Sequence, residues 1–271
     1  MKFSILSSIY YKENSKNFHD CMVSLWENQN LKPEEMILVE DGELTPELYS
    51  IISKWKYKLG NLLKIIKLAQ NVGLGNALNE GLKYCSNEWV FRMDTDDICK
   101  PDRFEKQIKY IVDNPDIVLL GGQIEEFDEK METSLGLRKV PCTHQEIIKL
   151  ADIRSPFNHM TVCYKKSFIE KIGGYQHHLY MEDYNLWLRV LKKTLHVANL
   201  PDVLVDVRSG EAMYKRRKGL EYVKSEWKLA HLKYQIGLQN RFISYFYFSI
   251  RTLPRFLSGN LLGKLYKKLR N

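Results

Sequence analysis

The chain of 271 residues contains little that could anchor, staple or repeat it. No run of about 18 uncharged apolar residues occurs, so no segment is expected to cross a membrane as a helix. Cysteine is scarce and scattered: Cys21, Cys85, Cys99, Cys142 and Cys163 form no C-x-x-C pair and are odd in number. That pattern predicts reduced thiols and a cytosolic setting, not a disulfide framework. The N-terminus has only Lys2 ahead of a short apolar run and lacks the small-residue cleavage site of a secretory leader. Low-complexity linkers and internal repeats are absent. So are the P-loop G-K-[ST], the H-E-x-x-H helix and any clustered Cys/His zinc set. The G-x-S-x-G elbow is missing as well. Gly73-x-Gly75 is not completed into a dinucleotide-binding fingerprint.

What is present is ordinary globular material, 44% hydrophobic and 27% charged. The length suits one large α/β domain or two small ones. The net charge of +8 is unevenly spread. Ala212 to Asn271 holds 14 basic and two acidic residues, a net of +12, which leaves −4 for Met1 to Glu211. A mildly acidic body thus carries a strongly basic tail. Such asymmetry implies contact with an anionic partner: membrane, nucleic acid or phosphate.

The first 120 residues alternate strand and helix patterns. Strands are expected at Phe3 to Ile9, Met36 to Val39, Leu62 to Leu68, Glu88 to Met93 and Ile117 to Gly121. Between them, helical spacing runs over Ser15 to Gln29, Glu47 to Tyr57, the Ala77–Leu82 stretch and Asp102 to Asp113. This alternation predicts a parallel sheet with helices on both faces. Later come a capping-box helix from Thr143 to Ala151 and a short strand from Thr161 to Tyr164. A helix is expected from Met181 to Lys193, then strands near Val197 and at Val203 to Val207. Two or three helices are expected after Met213.

Ligands of open α/β sheets bind beyond the carboxyl ends of the strands. Polar clusters fall at such ends here: the loop starting at Tyr10, Glu40-Asp41-Gly42, and Asp94-Thr95-Asp96-Asp97. Three carboxylates within four positions repel one another unless a cation joins them. A hard divalent cation shared with phosphate oxygens is the natural counter-charge. An acidic loop that only caps the next helix is the plainer alternative.

The Asp94 loop resembles the D-x-D motif of nucleotide-sugar glycosyltransferases with the GT-A fold, in its D-x-D-D form. The resemblance covers most of the chain. Ser4 to Tyr10 resembles their first strand, Val39-Glu40-Asp41-Gly42 their second-strand acidic motif, and Asn71 to Gly81 the segment ahead of the D-x-D strand. Glu182-Asp183-Tyr184-Asn185-Leu186-Trp187 resembles the late E-D motif. The family is the inverting glycosyltransferase family 2, and the nearest likeness is to bacterial O-antigen and amylovoran enzymes, many of them β1,3-galactosyltransferases.

The resemblance implies a GT-A fold, an α/β architecture with a mixed, mainly parallel sheet flanked by helices, over residues 1–211. A basic helical extension would follow over 212–271. It implies Asp183 as general base, Asp96 as metal ligand, and Mn²⁺ or Mg²⁺ as cofactor. Ser8, Tyr10, Asp41, Asn71, Asp94 and Asp97 would contact the UDP-sugar donor. Arg216 and Arg217, in a lid over 209–217, would reach its diphosphate, with Arg208 as a further basic candidate. His159, Glu182 and Trp187 would lie on the acceptor side, Trp187 as a stacking platform or as core. Arg103 would pair with the carboxylates of the Asp94 loop. The processive members' Q-x-x-R-W string and transmembrane helices are missing, which implies one sugar per visit. The implied acceptor is a saccharide on undecaprenyl diphosphate, so the expected location is cytoplasmic and peripheral to the inner face of the cytoplasmic membrane.

Aromatics interleave with the basic tail, and Phe242 to Ile250 is almost wholly apolar. Nine residues suit a helix lying in a membrane interface. Packing on the catalytic domain or a homodimer contact are the alternatives. Two other classes compete. A nucleic-acid binder could stack bases on these aromatics, but no RRM, KH or helix-turn-helix string supports a nucleic-acid partner. A nucleotidyltransferase could use the same acidic loop, but it leaves the Asp183 motif without a role.

Overall fold

The computed structural model describes residues 1–210 and 219–253. Strand β1 (Phe3–Ile9) leads through α1 (Ser15–Met22) to β2 (Glu35–Glu40), α2 (Pro46–Leu59), β3 (Leu63–Lys67), α3 (Leu74–Tyr84) and β4 (Trp89–Arg92). Then follow β5 (Ile98–Cys99), α4 (Arg103–Asp113), β6 (Leu119–Phe127), β7 (Ser134–Arg138), α5 (His144–Ala151), β8 (Cys163–Lys165) and α6 (Lys166–Lys171). Helix α7 (Glu182–Lys193), the long strand β9 (Val197–Arg208), α8 (Leu220–Gln235) and α9 (Arg241–Thr252) complete the described chain.

One sheet carries all nine strands in the order β3-β2-β1-β4-β8-β6-β9-β5, with β7 paired to β6. Strands β3, β2, β1 and β4 are mutually parallel. Alternation along them supplies the two cores. On β2, Met36 and Leu38 enter one core and Ile37 and Val39 the other, as a period-two strand buried on both faces requires. The first core packs α1, α2 and α4 against one face, through Phe18, Trp55 and Phe104. The second packs α3, α5, α7 and α8 against the opposite face, through Leu78, Ile147, Trp187 and Leu229.

The structure departs from the sequence expectation at several points. The sheet is mixed, as the family resemblance implies and strand–helix alternation alone does not: β8 runs antiparallel to β4 and β6, and β5 antiparallel to β9. The helix expected from Ser15 to Gln29 is α-helical to Met22 and continues as a π-turn, Val23–Glu27. Strand β7 adds to the expected set; it is short and exposed, and its alternating Leu135 and Leu137 face solvent and enter neither core. The two strands expected near Val197 and Val203 are one strand. Pro201 lacks the N–H a ladder needs, which suggested a break. Instead the β6–β9 register shifts between Gly121 and Gln123, and the Gln123 Nε2 donates to Leu200 O at 2.7 Å. The bulge absorbs the proline. The expected division at residue 211 also needs amendment: α8 is no free extension, since Tyr222 and Leu229 are buried in the second core.

Helix α3 lies unusually close to the sheet at Gly81. A Cβ there would sit 2.5 Å from Leu6 Cδ1 and 2.6 Å from Val39 Cγ2, and both side chains are fully buried. Gly81→Ala gains about 1 kcal/mol of helix propensity but overpacks the core. We expect a net loss of about 1–3 kcal/mol in urea unfolding; unchanged stability would mean that the helix can lift from the sheet at no cost.

Candidate active site

Parallel neighbours end at the same edge of a sheet, and this places three loops side by side. Ile9 of β1 is in register with Glu40 of β2, and Leu6 of β1 with Arg92 of β4. The loops leaving these strands carry Tyr10, Asp41 and Asp94.

The Asp41 loop is held by its own carboxylate. Asp41 is buried, Oδ1 accepts the Val72 N–H at 2.7 Å and Oδ2 the Gly73 N–H at 3.1 Å. Asn71 Nδ2 donates back to Asp41 O at 3.2 Å. Gly42 adopts φ +85°, and a Cβ there would meet Asn71 N at 2.7 Å, so only glycine lets the two loops touch. Asp41 and Asn71 therefore build the rim between β2 and α3. Ser8 is half-buried at the end of β1, and its carbonyl faces Thr95 Oγ1 at 3.4 Å. Tyr10 is more exposed and packs edge-on against Tyr11, ring centroids 5.8 Å apart.

The acidic loop gathers a fourth carboxylate that the sequence pattern hid. Glu13, from the first loop, accepts the Thr95 hydroxyl at 2.9 Å. Its neighbour Asn14 caps α1, which fixes where this loop ends. Burial raises the Glu13 carboxyl above its usual range, with Asp94 adding to the rise. Burial, then Asp94 and Glu13, pushes Asp96 up to about 7. Asp97 is driven well up by burial and by Asp96 and Asp94.

Two arginines offset this crowding. Buried Arg92 ion-pairs with Asp94 and donates to Leu6 O at 3.2 Å. Arg208, at the end of β9, donates from Nε to Asp96 O at 2.7 Å and from Nη1 to Glu129 O at 2.9 Å. Its own backbone N–H donates to Asp97 Oδ1 at 3.0 Å.

Three expectations are corrected here. Arg208 holds the acidic loop by main-chain and side-chain bonds in place of reaching for phosphate. Asp97 points inward, 2% exposed, and braces the loop against β9 in place of facing a donor. Arg103 does not pair with the carboxylates: it is buried under the loop, where Nη2 donates to Arg92 O at 2.8 Å and Nε to Gln107 at 3.0 Å. Arg92 takes that role instead, because it sits on the strand that ends at Asp94. Arg216 and Arg217 lie outside the described residues.

Across the cleft, α7 opens with Glu182 and Asp183 in its first turn, where the helix dipole favours negative charge. Asp183 and Asp94 both act on the charge of His159 and of Tyr175, so both carboxylates lie near this pair. His159 Nε2 and the Tyr175 hydroxyl are hydrogen-bonded at 2.8 Å. Burial and Arg92 pull the imidazole down to about 4, against Asp94 and Asp183, so it is neutral near pH 7. Ser155 Oγ stands 3.5 Å from Asp183 Oδ2. Glu182 packs over α3: a Cβ at Gly75 would approach its Cγ to 3.3 Å. Burial raises the Glu182 carboxyl.

Trp187 takes the core role of the two expected for it. It is 0% exposed, with its ring against Phe157 at 5.5 Å and His159 at 6.0 Å. It cannot present a face to a sugar; it supports His159 from behind. Tyr175, which joins the His159 hydroxyl bond, carried no motif by which the sequence could reveal it.

Among the described residues no group of three or more His, Cys, Asp and Glu side chains is arranged to hold a metal ion by itself. The donor set at Asp96 is all oxygen, and burial together with its negative neighbours raises its carboxyl to about 7. That suits a hard divalent cation whose remaining ligands come from phosphate and water. The raised Asp96 carboxyl has a stability consequence. The folded chain keeps a proton that the unfolded chain releases at its ordinary value of 3.8. Stability from this group is therefore intact below about pH 4 and is lost as pH rises towards 7. A divalent cation binds the ionised form and restores it. Mn²⁺ alone should raise the melting temperature more at about pH 8 than at about pH 5.5; an equal rise at both would separate Asp96 from the metal.

Known proteins resemble the chain in sequence and in fold. The family model described as Glycosyl transferase family 2 matches residues 8–173. The amylovoran biosynthesis glycosyltransferase AmsE of Erwinia amylovora is 44% identical, over 98% of each chain. A UDP-Gal:alpha-D-GlcNAc-diphosphoundecaprenol beta-1,3-galactosyltransferase of Escherichia coli is 37% identical, over 99% of this chain and 96% of that one. A crystal structure of S. aureus TarS in complex with UDP-GlcNAc superposes with a TM-score of 0.69 at 20% identity, covering 96% of this chain and 77% of that one. The mannosyltransferase PcManGT of Pyrobaculum calidifontis, in complex with GDP-Man and Mn²⁺, gives 0.63 at 14% identity, over 99% of this chain and 79% of that one. The described fold is the expected GT-A fold, and the chain belongs to glycosyl transferase family 2.

Proposed function

We propose that this glycosyltransferase moves galactose, with inversion and in β1,3 linkage, from UDP-galactose to a saccharide on undecaprenyl diphosphate. The product would serve the assembly of an O-antigen, capsule or exopolysaccharide. The observation that carries this reading is the match, along almost the whole of both chains, to the Escherichia coli enzyme named for that donor and that lipid-linked acceptor. AmsE, named for amylovoran biosynthesis, supports the polysaccharide setting. The protein would work from the cytoplasm at the inner face of the cytoplasmic membrane, where such an acceptor is anchored. No helix among the described residues is long and apolar enough to cross a membrane.

The cleft supplies groups for each need of an inverting transfer. Asp183, on the α7 rim, takes the proton of the acceptor hydroxyl as it attacks the anomeric carbon. The C–O bond to UDP breaks on the opposite side, beside the Asp94 loop. A divalent cation held by Asp96, Mn²⁺ or Mg²⁺, would offset the charge that develops on the departing diphosphate. Asp94, Ser8, Tyr10 and the Asp41–Asn71 rim hold the uridine and the donor sugar. Arg216 and Arg217 are proposed to close on the diphosphate. His159, neutral and hydrogen-bonded to Tyr175, orients a hydroxyl without adding charge between Asp94 and Asp183. Glu182 lies on the acceptor side, behind the base.

The test is a donor panel of UDP-Gal, UDP-Glc, UDP-GalNAc and UDP-GlcNAc against synthetic GlcNAc- and GalNAc-diphosphate-lipid acceptors, with product linkage read by NMR. UDP-Gal should be turned over fastest and give a β1,3 product. Another preferred donor, or an α-linked product, would overturn the assignment. Asp183→Asn should lower kcat by roughly 10²–10⁴-fold while UDP affinity in calorimetry stays within about twofold. Retained turnover would remove Asp183 from the base role.

A further inference from the structure

The His159 imidazole is held from two directions. Its Nε2 is hydrogen-bonded to the Tyr175 hydroxyl at 2.8 Å. The rings of Tyr175 and Trp187 stand edge-on to it, with centroids 5.6 and 6.0 Å away. Trp187 is locked in the second core. Where the imidazole points therefore depends on where Tyr175 is held.

Tyr175 lies in neither a helix nor a strand. It follows two glycines in the left-handed region, Gly173 at φ +86° and Gly174 at φ +59°. Glycine loses more conformational freedom on ordering than any other residue, so such a turn needs support from outside. Two side chains from different helices supply it. Asn79 of α3 acts as a peptide unit: its Oδ1 accepts the Tyr175 N–H at 2.8 Å, and its Nδ2 donates to Tyr175 O at 2.8 Å. Arg189 of α7 donates from Nη1 to Ile172 O at 2.7 Å and from Nη2 to Gly174 O at 2.5 Å. Its Nε is anchored on Asn185 Oδ1 at 2.8 Å. A Cβ on Gly174 would lie 2.5 Å from Asn79 Oδ1, so the clamp closes only on glycine.

Both helices also carry rims of the cleft. Helix α3 begins beside Gly73, whose N–H Asp41 accepts, and α7 begins with Glu182 and Asp183. They converge at Gly75, where a Cβ would lie 3.3 Å from both Tyr175 Cβ and Glu182 Cγ. A clamp that served folding alone could end at the turn's backbone. This one continues through the Tyr175 hydroxyl to an imidazole that is only half-buried.

We propose that Asn79 and Arg189 are positioning residues for the transfer. By clamping the Gly174–Tyr175 turn they fix the Tyr175 hydroxyl, and through it the direction in which His159 presents its imidazole to a substrate hydroxyl. Groups that orient a reacting hydroxyl work only when their own supports are rigid. The proposal rests on the reading of His159 given above.

The test pairs a spectroscopic readout with turnover. The ¹⁵N resonance of His159 Nε2, identified by its loss in His159→Gln, needs neither donor nor acceptor. Asn79→Ala should shift it in the same direction as Tyr175→Phe. With the donor–acceptor pair turned over fastest, Asn79→Ala should lower kcat roughly 10–100-fold, while circular dichroism and UDP affinity in calorimetry stay at wild type. Adding Asn79→Ala to Tyr175→Phe should lower kcat no further than Tyr175→Phe alone, because both act through one hydrogen bond. Should Asn79→Ala not fold, Arg189→Lys, which keeps the charge and loses the fork, carries the same comparison. An unmoved resonance, or additive losses of kcat, overturns the clamp; it leaves the reading of His159 standing if His159→Gln loses turnover. A shifted resonance with unchanged kcat in both Asn79→Ala and His159→Gln removes His159 from the reaction, and the positioning role with it.

Discussion

Four carboxylates, those of Glu13, Asp94, Asp96 and Asp97, repel one another at one edge of the sheet, and the surrounding architecture holds them together. They arrive from two loops, so bringing them together requires that β1 and β4 be adjacent and parallel. Their repulsion is offset on two sides by arginines of opposite origin. Arg92 comes from the strand that carries the loop, and Arg208 from the far end of β9. Burial and the remaining negative charge together raise the carboxyls of Asp96 and Asp97, and the proposed cation site rests on that.

The opposite rim depends on a different device. Helix α7 places Asp183 at its N-terminus, and the turn before it holds Tyr180 at φ +65°, a conformation that costs a non-glycine residue free energy. Stacking on Tyr222 of α8, ring centroids 5.8 Å apart and nearly parallel, holds that turn. His178 bridges the same helices, bonding Ser225 O at 2.8 Å and Asn185 at 3.1 Å. Helix α8 thus completes the site without touching the cleft. This explains why a segment that reads as a basic appendage is partly core: its buried Lys233 is bonded to Tyr184 of α7, and its buried Glu226 to Arg251 of α9.

Much of this was legible in the residues. Short apolar runs alternating with helical spacing gave the parallel strands, and the D-x-D-D and E-D strings marked both rims. The failures share a cause. Trp187, Arg208 and Asp97 were each offered a ligand role because their chemistry suits one, and Arg103 a pairing with the acidic loop, yet each has its polar or aromatic group engaged elsewhere in the protein. Residue type alone does not distinguish a side chain that faces a cleft from one that faces the protein. Glu13 and Tyr175 were missed for the converse reason: they reach the site from loops with no spacing pattern.

By itself the sequence determined the alternation of strands and helices, the strand ends that carry acid, and the concentration of basic charge after residue 211. These are local properties, set by side-chain period and composition. Only the tertiary structure decided which carboxylates meet, which arginine neutralises them and how α9 seats on α8. Each depends on contacts between residues far apart in the chain, such as Arg208 with Asp97 and Arg251 with Glu226, whose direction no local pattern encodes.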